Sequence, residues 1–327
     1  MELSLWHESD YRFNIKNPEK KFYSIRNLDL RVIIYRNSPE ESLMSRIDIV
    51  TDTDSALPPE LAKKYHILQI PILIQFGEET FRTGIDIDDA TTFARIDRDG
   101  KLPTTTAPTP GQFLEAFQAA FDSGAESILC ISISCEMSAT HSSAQKAAEM
   151  LPDRRIEVVD SRSCAMGQGF MVIAAAQAVA GGATVEQAIV AAEEIRGRTY
   201  LFGALPTLRY IAMSGRVSLL AAGMAGLLDI KPILSLQEGK LDLLEKVRTQ
   251  NKAWKRAVDL SLERAAGRKL EQLAILHVNA PGLARQFDGL VRKALPCPAE
   301  TIFCEMTPGL SVHVGAGMVA VVFVTER

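Results

Sequence analysis

Cysteine is scarce and unpaired in this sequence: the five residues, at 130, 135, 164, 297 and 304, form no C-x-x-C, and their odd number excludes a closed disulfide framework and fits a reducing compartment. Aromatic residues make up only 6%, too few for the stacking platforms that hold single strands. A basic excess is missing as well: 36 Lys and Arg against 40 Asp and Glu leave a net charge of -4, where phosphate-backbone binding requires positive charge. No nucleic-acid partner is expected. The histidines, at 7, 66, 141, 277 and 313, show neither H-E-x-x-H nor H-x-x-x-H spacing, so no metal site is expected. Without G-x-x-x-x-G-K-[ST] the chain has no visible means of binding ATP itself, and no cofactor is expected.

Targeting and spanning segments are also lacking. Residues 1–45 mix charges with Tyr, Phe and Trp and contain no apolar run before a small-residue cleavage site, so no secretory signal is expected and a cytoplasmic location is. The most hydrophobic window, 164–183, reaches spanning length but holds Gln168, Gln177 and four glycines, which predicts a buried helix rather than an integral membrane segment.

What is present is aliphatic: 47% of 327 residues are hydrophobic, enough to build two cores. Ile47-Asp48-Ile49-Val50 spells a short strand that runs into the polar Thr51-Asp52-Thr53-Asp54-Ser55, and Pro58 and Pro59 suit the first turn of a helix through Tyr65. A second apolar run covers 67–76, and the polar stretch 77–100 contains a short helix over 88–96. Thr109-Pro110-Gly111-Gln112 is a capping box with proline at the first helical position, and Phe113, Phe117 and Phe121 then recur every fourth residue as a core face that Gly124 ends. Strands over 127–134 and 156–160 flank a helix over 138–150. This alternation predicts a doubly wound parallel sheet.

Beyond the helix over 164–180, a second capping box at Thr184-Val185-Glu186-Gln187 opens a helix that ends near Gly197. A hairpin follows over 231–236 and 240–247, turning at Glu238-Gly239, and strands over 273–278, 300–304 and 319–324 surround two helices. The expected class is therefore α/β with two domains, a doubly wound parallel-sheet domain over 46–160 and an α+β domain with a largely antiparallel sheet over 161–327. Gly315-Ala316-Gly317 matches a dinucleotide fingerprint only formally, because the seven residues after Ala320 leave no room for the helix and second strand it needs. It reads as a turn into a final strand. His313, between Pro308-Gly309 and Gly315, reads as a loop histidine. Three hydroxyl-rich segments, 104–106, 132–140 and 160–163, lie at element ends, where they suit either helix caps or a shared site in the crevice of an open sheet.

These residues, taken in order, resemble the DegV family of bacterial fatty-acid-binding proteins. Ile49-Val50-Thr51-Asp52-Thr53-Asp54-Ser55 is similar to the family's opening strand, and Thr105-Thr106-Ala107-Pro108-Thr109-Pro110-Gly111 to its T-S-Q-P-S-P-G loop. Ile131-Ser132-Ile133-Ser134 and Met137-Ser138-Ala139-Thr140 resemble I-S-I-S and L-S-G-T, and Val159-Asp160-Ser161 resembles V-I-D-S. Ser214-Gly215-Arg216-Val217-Ser218 resembles G-G-R-I-S, and Val312-His313-Val314-Gly315-Ala316-Gly317 resembles H-V-G-P-G. Ala139 and Ala316 stand where the family has glycine and proline, and Pro206 where an aspartate commonly precedes the G-R-I-S segment.

The resemblance implies a carrier that is not itself an enzyme: it holds a long-chain fatty acid between its two domains and presents the carboxylate to the catalytic subunit of a separate ATP-dependent fatty acid kinase, which forms the acyl phosphate. It implies Thr105, Ser138 and His313 as the carboxylate-binding residues, with Thr106, Ala139 and Thr140 in the adjoining loops and Arg216 at the kinase-docking surface. Neutral hydroxyl donors hold a carboxylate without clamping it as an arginine fork would. Burying the tail of a ligand of about sixteen carbons contributes roughly 11 kcal/mol before ordering costs, at about 0.8 kcal/mol per CH₂. Candidates for the tunnel wall are 170–173 and 223–228. Residues 1–45, which lie upstream of the resemblance, read as an N-terminal extension or a translation-start artefact. Two alternatives stand beside the carrier: a serine-dependent acyl hydrolase using Ser138 with His313 as base, and a carrier of another amphipathic ligand. Against the hydrolase, no G-x-S-x-G elbow surrounds Ser138.

Overall fold

The computed structural model describes residues 46–214 and 230–327. The first half runs β1 (Ile47–Asp52), α1 (Pro59–Lys64), β2 (Leu68–Ile70), β3 (Leu73–Phe76), β4 (Glu79–Arg82), α2 (Asp89–Asp99), β5 (Thr104–Thr106), α3 (Pro110–Asp122), β6 (Ser127–Ser132), α4 (Thr140–Glu149) and β7 (Arg155–Asp160). Strands β2-β1-β6-β7 form a wholly parallel sheet in that order. Its central strand β6 is buried at every position, as a strand covered on both faces must be, and its side chains alternate between two cores. Ile128 and Cys130 face α3 and α4, while Leu129 and Ile131 face the opposite layer.

The capping box of α3 forms as its sequence predicts, with Thr109 Oγ1 accepting from Gln112 N and Gln112 Oε1 from Thr109 N. Phe113 and Phe117 are fully buried, their ring centroids 5.8 Å apart. The run over 67–76 divides instead of forming one strand. Pro71 cannot donate to a ladder, so β2 stays in the parallel sheet while β3 turns away to pair with β4 and β5 in a separate antiparallel sheet, ordered β4-β3-β5. The residues 104–106, expected only as an element end, are thus a strand.

The second half contains α5 (Ala165–Ala180), α6 (Val185–Arg198), β8 (Thr199–Ala204), α7 (Arg209–Ser214), β9 (Lys231–Gln237), β10 (Lys240–Val247), α8 (Gln250–Ala265), β11 (Leu270–His277), α9 (Pro281–Ala294), β12 (Ile302–Glu305), α10 (Pro308–Val314) and β13 (Val319–Thr325). The strands form one sheet, β10-β9-β8-β13-β11-β12, antiparallel except for the β11–β12 pair. The β9–β10 hairpin turns at Glu238 and Gly239, with φ of 47° and 82°, the left-handed pair that matches strand twist. In β13, Val319, Val321 and Phe323 face α8 and α9, and Ala320, Val322 and Val324 face the layer of α5 and α6.

That shared layer explains α5. Ala165 through Ile173 are buried because the helix is covered by the parallel sheet on one side and the antiparallel sheet on the other, which demands apolar residues all round. No helix among the described residues is long and apolar enough to cross a membrane. The architecture is mixed α/β, with a parallel sheet and a largely antiparallel one, as the sequence predicts.

Phe117→Ala, which removes a fully buried ring between α3 and the parallel sheet, is expected to lower stability by roughly 3–5 kcal/mol in urea unfolding. A loss below about 1 kcal/mol would show that this face is not packed.

Candidate functional site

The carboxyl end of β1 is a junction. The Asp52 carboxylate is fully buried, with Oδ2 accepting from Ile133 N at 2.8 Å and Gln168 Nε2 at 3.1 Å, and Oδ1 from Asp54 N at 3.0 Å. One side chain therefore joins the ends of the adjacent parallel strands β1 and β6 to helix α5. Thr51 Oγ1 donates to Ile131 O at 2.7 Å and accepts from Gln168 Nε2 at 2.9 Å. Thr53 extends the junction outward: its Oγ1 accepts from Ile72 N at 3.0 Å and shares a hydrogen bond with Thr83 Oγ1 at 2.8 Å, and its carbonyl accepts from Thr307 Oγ1 at 3.3 Å. Strands β1 and β6 neighbour each other where the strand order reverses, the place where open α/β sheets bind ligands.

Thr105 lies on β5, opposite Ile74 of β3, and is half-buried. Its Oγ1 meets His313 Nε2 at 3.1 Å, so residues 208 apart in the chain are in direct contact. His313 is not in a loop. It sits in the last turn of α10, which forms because Pro308 takes the first helical turn and Gly309 lets the chain pass where a Cβ would collide with Asp54 Oδ1. Gly315, at φ 88°, ends the helix where a Cβ would strike the Tyr210 ring. The glycines that mimic a dinucleotide fingerprint are thus a helix stop and a turn into β13.

Ser138 precedes α4, which begins at Thr140 rather than at 138. Its Oγ lies 2.8 Å from Thr140 Oγ1 and accepts from Thr140 N at 3.3 Å. Ala139, the residue at the helix N-cap, offers no side-chain acceptor, so the hydroxyl of Ser138 stands at the positive end of α4. Ser138 is half-buried, Ala139 exposed and Thr140 buried. Thr106 is exposed at the end of β5. The structure thus forms two pairs, Thr105 with His313 and Ser138 with Thr140. Arg216 and the segment 223–228 lie outside the described residues, whereas Phe170, Met171, Val172 and Ile173 are buried in the shared layer.

Sequence reasoning passed over Asp52 and Gln168 as site-building residues. Their signals were present: an acid flanked by threonines at a strand's carboxyl end, and a lone amide in an otherwise apolar helix, which must find a buried partner. Asp89 and Ser311 were passed over as well. Their pairing, Ser311 Oγ donating to Asp89 Oδ1 at 2.5 Å, spans 222 residues and has no local signature.

Comparison with known proteins places the whole described chain beside one family. A family model described as "DegV: Uncharacterised protein, DegV family" matches residues 46–326. The chain is 32% identical over 280 residues to a DegV domain-containing protein of Streptomyces coelicolor, with 85% of this chain and 99% of that one covered. It is 34% identical over 276 residues to one of Mycobacterium tuberculosis, with 84% and 95% covered. Among solved structures, a fatty-acid-binding DegV family protein from Thermus thermophilus superposes with a TM-score of 0.78 at 27% identity, over 86% of this chain and all (100%) of that one. DegV from Bacillus subtilis, a fatty-acid-binding protein, superposes with a TM-score of 0.77 at 27% identity, over 87% and 100%.

Burial lifts the Asp52 carboxyl from 3.8 to about 6, against the pull of its hydrogen bonds from Ile133, Gln168 and Asp54. Between about pH 4 and 6 the folded protein keeps a proton that the unfolded chain has released, so the contribution of Asp52 to stability is full below that window and lost as pH rises through it. Gln168→Leu removes a donor; Asp52 is expected to titrate higher in carbon NMR, and stability to fall by roughly 1–3 kcal/mol in urea. An unmoved Asp52 titration would dissociate Gln168 from the junction.

Proposed function

The chain belongs to the DegV family, and from that membership we propose that it binds a long-chain fatty acid, holds the carboxylate with Thr105, Ser138 and His313, and presents it to the catalytic subunit of a separate ATP-dependent kinase. The observation that carries this reading is the Thr105–His313 hydrogen bond, because it brings together two segments, far apart in the chain, that the family resemblance assigns to the carboxylate. Both side chains are neutral donors or acceptors when His313 is uncharged, so they satisfy a carboxylate leaving water without burying a fixed positive charge beside it. Ser138 at the start of α4 adds a hydroxyl and the partial charge of the helix terminus. A carboxylate held this way keeps an oxygen lone pair for attack on a phosphoryl group. The tail runs, in this reading, along the apolar side chains of α5 between the two sheets, with the division between domains following β7. Thr106, Ala139 and Thr140 border the carboxylate, Arg216 serves kinase docking, residues 1–45 are an extension dispensable for binding, and the carrier works in the cytoplasm.

The hydrolase reading is weaker. Ser138 Oγ engages Thr140 and His313 Nε2 engages Thr105, whereas a serine nucleophile needs its own base at hydrogen-bond distance.

Thr105→Ala and Ser138→Ala are each expected to reduce fatty-acid affinity by roughly 1.5–3 kcal/mol, the value of one hydrogen bond to a charged group, while native mass spectrometry of the parent chain purified without added lipid shows a bound acid. Unchanged affinity in both variants removes these residues from the site. Ester turnover in the parent that disappears with Ser138→Ala would establish the hydrolase instead. Arg216→Ala is expected to leave the lipid bound and weaken acyl-phosphate formation with the kinase; loss of lipid would place Arg216 at the carboxylate.

A further inference from the structure

His313 depends on the pose of α10, and α10 is a seven-residue helix, too short to hold itself in water. Tertiary contacts fix it. Its N-terminus rests on the turn after β1 through Thr307, and its C-terminal end abuts Tyr210 of α7, whose ring in turn meets Phe93 of α2 edge-on at 6.2 Å. These contacts locate the ends of the helix and leave its rotation about the axis to be set by side chains. Leu310, Val312 and Val314 pack into the core, and two polar side chains add direction to that packing: His313 toward Thr105, and Ser311 toward Asp89. Residues two apart lie about 200° apart around a helix, so the two hydrogen bonds hold opposite sides and oppose rotation in either sense.

Asp89 is the first residue of α2, next to the capping Asp88, and it is only 3% exposed. A buried acid is unfavourable at this place unless something requires it. Burial, Glu305 at the end of β12 and Asp88 all push its carboxyl up, to about 7, against the hydrogen bond from Ser311. Its Oδ2 has no hydrogen-bond partner among the described residues, so Ser311 is the contact its carboxyl makes. Strand β5, which carries Thr105, begins five residues after α2 ends. Helix α10 therefore docks on a single stretch of chain at two points, one at each end of that stretch.

We propose that Asp89 is a positioning residue for His313: by holding Ser311 it fixes the rotation of α10 and so aims Nε2 at Thr105 and at the carboxylate of the ligand. The ligand half of this statement rests on the fatty-acid reading above; the histidine half does not. The test uses the full chain, palmitate as the acid, and hexadecanol as a probe with the same tail and no carboxylate. Asp89→Ala and Ser311→Ala are each expected to weaken palmitate binding roughly tenfold, the scale of one hydrogen bond to a charged group, and to leave hexadecanol unchanged. Asp89→Asn keeps an acceptor for Ser311 and is expected to retain palmitate affinity. In a His313→Ala background Asp89→Ala should add no further loss, because the two act as one unit. Equal losses for palmitate and hexadecanol, or losses that add across the double variant, would reduce Asp89 to general packing and overturn the proposal. The ring resonances of His313 in the ligand-free protein are expected to shift in Asp89→Ala and Ser311→Ala and to stay in place in Asp89→Asn. Unmoved resonances in both Ala variants overturn the proposal whatever the ligand does. If the parent chain binds neither probe, the fatty-acid reading fails while shifted resonances still uphold the positioning role.

Discussion

A carboxylate taken out of water must be met by donors, and at Asp52 the donors come from three different parts of the chain. Ile133 N lies just past β6, Gln168 on α5, and Asp54 in the turn that follows β1. The penalty for leaving any of them unmade is larger than the net gain from each, so the group acts as a constraint on geometry more than as a source of stability. It fixes where β1 stops, how β6 leads into the Ser138 segment, and how deep α5 sits. Thr53, one residue on, transfers the same constraint to the small β3–β5 sheet and to the start of α10. Every segment that carries a candidate carboxylate ligand within the described residues is within one or two hydrogen-bonded steps of this turn.

The layered arrangement follows from one helix pair facing two sheets. The parallel sheet has its own outer cover in α3 and α4, and the antiparallel sheet has α8 and α9. Between them α5 and α6 serve both, which places a continuous apolar layer against the polar junction at the end of β1. An amphipathic ligand matches that adjacency: a hydrocarbon tail needs a layer without polar groups, and its head needs hydroxyls and amides close by. The Thr105–His313 pair stands on the small sheet and the short helix that cover the junction, so the polar end of the site is assembled from elements that directional hydrogen bonds hold in addition to their packing.

This division of labour bears on rigidity. Helices α3, α5 and α8 are held by buried apolar surface, which is non-directional and tolerant of small shifts. Helix α10 and strand β5 are short, and beyond the packing of Leu310, Val312 and Val314 their poses depend on a few directional contacts, Ser311 with Asp89 among them. A small displacement there changes the aim of a side chain without disturbing the core.

Much of the fold could be read along the chain because its causes are local. The capping boxes at Thr109 and Thr184, the phenylalanine stripe of α3, and the Glu238-Gly239 turn are decided by residues three or four apart, and each formed where its chemistry places it. Pro71 was equally local, and its consequence, the departure of β3 into another sheet, follows from the missing donor. Thr105, Ser138 and His313 were legible as hydroxyls and an imidazole at element ends, and the proposal that they share one carboxylate came only from family resemblance. The helix beneath His313 was hidden because seven residues carry too little periodicity to declare themselves, and the partners of its two polar side chains lie more than 200 residues upstream. Sequence by itself determined most of the secondary elements, the aliphatic layers and the lack of a basic excess, since these depend on composition and short-range spacing. Only the tertiary structure decided that Asp52 meets Gln168, that Thr105 meets His313, and that Asp89 meets Ser311, because a hydrogen bond between distant residues depends on where the chain returns, and one residue's chemistry does not encode its partner's address.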